Sequence, residues 1–302
     1  VNGLVSHIEQ RNDVDSEVPC VMIIALVEGR YKVSIPFDEF YQKNPIDMAT
    51  VNMETKAGRE EYVNRCATMA AKLYSLNVPM VITTIQVDES TDAEAGVPAY
   101  VIVASRKAAL DIIEETNYGD RPDGDGPRIQ EGDFVRAQIT SVARDSIAVV
   151  VGGVDTRVSL HALTFEYLVD ARTKYKVGQE IMVQVEQIIK EKDGHHIVEV
   201  NCKQPELERA KQMRSALPIG SIVFGIVSSV AASKKQPGNI NVLAYIKMYD
   251  LPVLVNNMPA KFLGSEPPRG STVRLKVLNY LDNGMILCRC IGTQGPMNFP
   301  NA

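Results

Sequence analysis

The chain has 302 residues, 45% of them hydrophobic, and its 32 basic and 37 acidic side chains leave a net charge of −5. That length can hold two or three separate cores. Five scattered cysteines are too few for a disulfide scaffold, and the longest apolar run, "VPCVMIIALV" at 18–27, is about half of what spans a bilayer. A reduced, cytoplasmic protein without a membrane segment is expected.

The charge is unevenly spread. Residues 1–128 carry 12 basic and 21 acidic groups, a net of −9; residues 129–203 carry 9 and 11, a net of −2; residues 204–302 carry 11 and 5, a net of +6. A polyanion is repelled by the first third and attracted by the last.

In chain order, "VNGLVSHI" reads as a strand already in progress, so further sequence is expected upstream of Val1. "PCVMIIALVEG" and "KVSIPFDEF" (32–40) then form a hairpin about a glycine turn. The stretch at 58–76 has helical spacing and sets Tyr62, Cys66, Met69 and Leu73 on one stripe. This stripe either caps a core or docks a neighbour. Two strands follow, "VPMVITTIQV" and "PAYVIVASRK". "GDRPDGDGPR" at 119–128 lacks the alternating ligands and closing Glu of a calcium loop and reads as a linker.

The hairpin phrase then returns as "RVSLHALTF" at 157–165, preceded by "SIAVVVGG" and followed by a second expected helix at 164–175. The strands "QEIMVQVEQI" and "HHIVEVNCK" close this unit. His195 and His196 follow "KDG" as turn residues, with no carboxylate or cysteine placed to complete a metal site with them. A third unit is announced by "IGSIVFGIVSSV" at 219–230, which repeats "EGDFVRAQITSV" at 131–142, and by "RGSTVRLKV" at 269–277, which repeats "VGQEIMVQV" at 177–185. It ends in "GMILCRCIG", whose Cys288 and Cys290 share a face but lack the second pair that zinc needs. No phosphate loop, nucleophile elbow or His-Glu-x-x-His occurs, so neither catalysis nor a metal or other cofactor is expected.

Three copies of one five-stranded module resemble the OB fold, a partly open Greek-key barrel. The G-x-x-V-x-x-x-I opening, the V-G-x-x-I-x-V-x-V strand and a last strand running into S-R-K resemble the S-one RNA-binding repeat, a family also found in phages and mobile elements of Gram-positive bacteria. The resemblance implies a mainly β array with short helices. Its modules are 1–118 with an inserted helix, 129–203 and 217–292, separated by a linker at 119–128 and a linker helix at 204–216 and followed by a tail at 293–302.

The family's RNA-facing strands carry two aromatics and a histidine that stack on bases. Here those positions read "RDSIAVVV" with Ser159, and "IIALVEGR" with Ser34, so the platform is lost from the first two modules. In the third, Tyr245 and Tyr249 can replace it. The expected nucleic-acid contacts are Lys234, Lys235, Lys247, Arg269, Arg274 and Lys276 around those tyrosines. Arg106, Lys107, Lys203 and Arg289, at the ends of last strands, are added as phosphate contacts. The expected partner is RNA or single-stranded nucleic acid, bound chiefly by the basic third module. The alternative is a structural protein, for example a phage virion or decoration component. Its acidic first and basic third modules would then meet in an oligomer or on another structural protein.

Overall fold

A computed structural model of the chain describes residues 1–11, 20–87, 100–121, 124–213, 216–234, 236–260 and 267–294. The protein is mainly β, with three sheets that follow one another along the chain.

In the first module, β1 (Asn2–Arg11), β2 (Cys20–Val27) and β3 (Tyr31–Pro36) form an antiparallel meander. β6 (Tyr100–Ser105) joins β3 in parallel, and β5 (Val81–Val87) joins β6. β4 (Asn77–Pro79) pairs with the other edge of β1. Only the buried Met80 separates β4 from β5, so one broken strand spans both edges of the sheet and curls it into a barrel. α1 (Lys56–Ala70) starts where the Thr55 hydroxyl accepts a bond from the Gly58 N–H at 3.1 Å. Tyr62, Cys66 and Leu73 enter the barrel core, with Met69 packed beside it. The stripe is thus a cap, and burial pushes the Cys66 thiol up to about 11.

The second module orders its strands β11-β10-β7-β8-β9, with β7 (Phe134–Val142), β8 (Ser146–Val151), β9 (Val154–Ser159), β10 (Glu180–Lys190) and β11 (His196–Asn201). Across the gap between the outer strands, the Thr156 hydroxyl donates to Val198 O at 2.8 Å. The third is a closed barrel of β12 (Ile222–Ala232), β13 (Asn239–Ile246), β14 (Leu251–Pro259), β16 (Ile286–Gln294) and β15 (Thr272–Tyr280). Its parallel β14–β16 pairing repeats that of β3 with β6. Cys288 and Cys290 both point into this core.

Two expectations are corrected. The helix at 164–175 is not formed. Its place holds the short α3 (Leu160–Leu163) and one 3₁₀ turn at Ala171–Thr173. Side chains divert the backbone between them: Glu206 accepts from the Phe165 N–H at 2.9 Å, and Asp170 accepts from the Arg172 N–H at 2.9 Å.

The last strands of the first two modules also do not run on into their basic residues. Ser105 caps α2 (Arg106–Tyr118), accepting from the Ala108 N–H at 2.9 Å, so Arg106 and Lys107 open a helix. Likewise Lys203 is the first residue of α4 (Lys203–Gln212). These helices lead out of one module and pack on the next. Ala210 of α4 lies in the third core, and Gly284 lies so close to Leu207 that a Cβ there would sit 2.3 Å from the Leu207 carbonyl oxygen.

Candidate nucleic-acid interface

The outer face of β12, β15 and β16 carries the clearest cationic surface. Strand register places Phe224 opposite Arg274 and Arg274 opposite Gly292, while Ile222 lies opposite Lys276 and Lys276 opposite Arg289. Residues two apart on a strand share a face, so these rows form one patch. Ile222 and Phe224 are half exposed, and all three cations are exposed. Among the described residues none of the three cations has a carboxylate within ion-pairing distance. Gly292 has open space where its side chain would stand. Three unpaired cations beside an exposed ring can hold phosphates while a base stacks.

A second cluster lies in the cleft between the second and third modules. Phe165, Tyr167, His161, Lys203 and Arg269 line one cavity of about 140 Å³. The Lys203 ammonium stands 5.0 Å from the Phe165 ring centre, and burial holds its pKa below the usual lysine value. Tyr167 lies against Gly270, where an added Cβ would come within 2.8 Å of the ring. Arg269 is exposed.

The expected patch is therefore divided. Arg274, Lys276 and Arg289 come together on one face, and Lys203 and Arg269 meet in the cleft. Lys234 is exposed at the far end of β12, and Lys235 lies outside the described residues. Lys247 faces Glu166 of the second module at 4.0 Å. Lys107 is half-buried at the start of α2. Arg106 is not on a surface: it is 2% exposed, donates to Phe40 O at 2.7 Å, lies over the Phe40 ring and faces Asp155 at 3.6 Å.

The tyrosine platform is not available either. Tyr245 is 1% exposed, with its hydroxyl donating to Asp250 and Lys174 of the second module above its ring, and Tyr249 packs against the barrel core. Phe224, which takes the role of the exposed aromatic, was visible in "SIVFGIV" as an apolar residue at an outward position. That Arg274, already an expected contact, stands opposite it follows only from strand register.

Around α2 the junction between the first two modules is polar. Tyr118 of α2 donates to Val151 O at 2.9 Å and Asn117 to Gly152 O at 3.1 Å. The buried Glu114 carboxylate accepts from the His196 N–H at 2.6 Å and faces its Nδ1 at 2.9 Å. Gly153, at φ +102°, lets α2 approach: a Cβ there would meet the Glu114 nitrogen at 2.5 Å.

Residues 128–196 match the S1 RNA binding domain. No curated protein matches the chain. Among solved structures, the a/eIF2alpha-aDim2p-rRNA complex of Pyrococcus horikoshii is 16% identical with a TM-score of 0.22; the match covers 28% of this chain and 56% of that one. A multidomain protein with nucleic acid binding domains from Streptococcus pneumoniae is 11% identical over 96% of this chain and 72% of that one, with a TM-score of 0.23. A murine DNA binding protein bound to double-stranded DNA is 14% identical over 55% of this chain and 92% of that one, with a TM-score of 0.19.

In the S1-matching module, the outer side of β8 is partly covered by the first module, while Arg157 and Ser159 of β9 stay exposed. Ala148 and Arg157, paired across the two strands, line a cavity shared with Tyr41, Met69 and Lys72 of the first module. Val150 lines another with Arg106 and Leu110. The small side chains found where the S-one resemblance implies stacking aromatics make room for this neighbour.

Proposed function

We propose that the chain binds RNA or another single-stranded nucleic acid, chiefly through the third module. The observation that carries this reading is the outer face of β12, β15 and β16, where Arg274, Lys276 and Arg289 are unpaired among the described residues and Arg274 stands opposite Phe224. The match of residues 128–196 to an RNA-binding domain supports the same class of ligand. The cleft of Lys203 and Arg269 offers a second contact toward the middle module. Binding is led by phosphate contacts and tolerant of sequence, because cations and one ring recognise backbone and base face rather than base edges.

The test is fluorescence anisotropy of a short single-stranded RNA with the full chain and with the double variant Arg274→Glu, Lys276→Glu. The parent binds with an affinity that falls steeply with salt, and the variant loses binding and flattens the salt slope by about one per phosphate contact removed. A parent that binds no oligonucleotide, but forms salt-sensitive oligomers, would instead support the structural reading in which the acidic and basic ends of copies meet.

A further inference from the structure

At the cavity of about 480 Å³ between the first two modules, Glu114 and His195 of its lining meet Asp111, a group that nucleic-acid binding leaves unused. Asp111 and Glu114 stand three apart on α2, hence on one side of the helix. His195 reaches them from the β10–β11 turn, more than 80 residues further along the chain. One oxygen from each carboxylate and a ring nitrogen of His195 lie within 4.8 Å of one another. His195 Nδ1 is 3.3 Å from Glu114 Oε2. Two ligands bound to one tetrahedral zinc at about 2.1 Å each are about 3.4 Å apart, so this pair is already at ligand spacing.

The Gln42 amide donates from one nitrogen to Glu114 Oε2 at 3.0 Å and to Asp111 Oδ1 at 3.4 Å, so it holds both carboxylates toward one point and occupies the place an ion would take from it. The other oxygen of Glu114 is fixed by His196, through its N–H and its ring, which orients the carboxylate as outer partners orient a metal ligand. The turn is held by the His195 N–H, which donates to Asp193 at 3.1 Å. Of the cations lining the cavity, Lys43 is paired with Glu191 at 2.9 Å.

We propose that Asp111, Glu114 and His195 bind one divalent transition-metal ion, which clamps the first module to the second. Two carboxylates and an imidazole suit zinc better than magnesium, which prefers all-oxygen ligands, and a water from the cavity completes the tetrahedron. The Gln42 amide gives way when the ion enters.

The probe is zinc chloride, titrated calorimetrically into the full chain after chelator treatment and buffer exchange, with magnesium chloride as control. The expected result is one zinc per chain, a rise in melting temperature with zinc, and no comparable effect of magnesium. Asp111→Asn, which keeps the side-chain shape, and His195→Ala, at a half-exposed turn, each weaken zinc binding by more than about a hundredfold, beyond the loss of a merely supporting residue. Circular dichroism of both variants checks that they fold. No zinc binding by the parent up to about 1 mM, well above the concentrations at which structural zinc sites fill, overturns the proposal. So does unchanged zinc binding in either folded variant, which would place the ion on the cysteines or elsewhere.

Discussion

Phe224 is the residue on which the proposed interface can be tested most finely. Its ring is half exposed and opposite Arg274, so its removal costs the fold little and the ligand much. Phe224→Ala is expected to lower affinity for a single strand by about 1–3 kcal/mol, the range for one lost base–aromatic stack, with an unchanged melting temperature and salt slope. Anisotropy over a salt series, beside calorimetric unfolding, separates this from a charge effect. Tyr245 shows where reading by residue type stops. Alternation along "NVLAYI" places it outward, and in an isolated barrel it would be a stacking surface. The second module covers it with Lys174, and only tertiary contact could reveal that. The same limit applies to His195 and Glu114, which the sequence separates by 81 residues and the fold brings to 3.3 Å.

At the scale of elements, α2 and α4 do the joining. Gly153→Ala places a Cβ 2.5 Å from the Glu114 nitrogen, on backbone at a positive φ, so both the helix and the turn must shift. The variant is expected to lose more than about 1 kcal/mol in urea unfolding, with the loss confined to the transition that reports the first two modules. α4 makes a related prediction about boundaries. A third module cut at residue 217, where its repeat begins, omits Ala210 and the Leu207 backbone against Gly284. A fragment of 203–294 is therefore expected to melt well above one of 217–294 and to bind the oligonucleotide alone. The strands were legible because period-two alternation and glycine turns are local signals. The helix ends were not: the Ser105 cap is a local signal that reads equally as the end of a strand, and the Glu206 bond that helps dissolve the expected 164–175 helix comes from 41 residues away.

For the whole molecule, the repeat, the three sheets and the charge gradient were all readable from the chain, but the relation between modules was not. The stretch at 119–128 reads as a linker, with residues 122 and 123 outside the described part. Yet α2 before it is hydrogen-bonded to β8, to the turn after it and to β11 of the following module. Proteolytic cleavage within 119–128 is thus expected to leave the two pieces associated in native gel filtration. They should separate only in denaturant, whereas independent beads on a string would separate at once.

Each docking uses the same side of the receiving barrel. Ala148 and Val150 of β8 turn toward the first module, and Leu243 and Tyr245 of β13 turn toward the second. A repeated gene segment that stacks in this way commits every internal copy to its predecessor, and divergence then runs along the stack rather than around each copy. Natural variants should keep small side chains at Ala148 and Val150, where a larger one would push the preceding copy away. They should change more freely at Phe134 and Met182, which stay exposed on the middle copy.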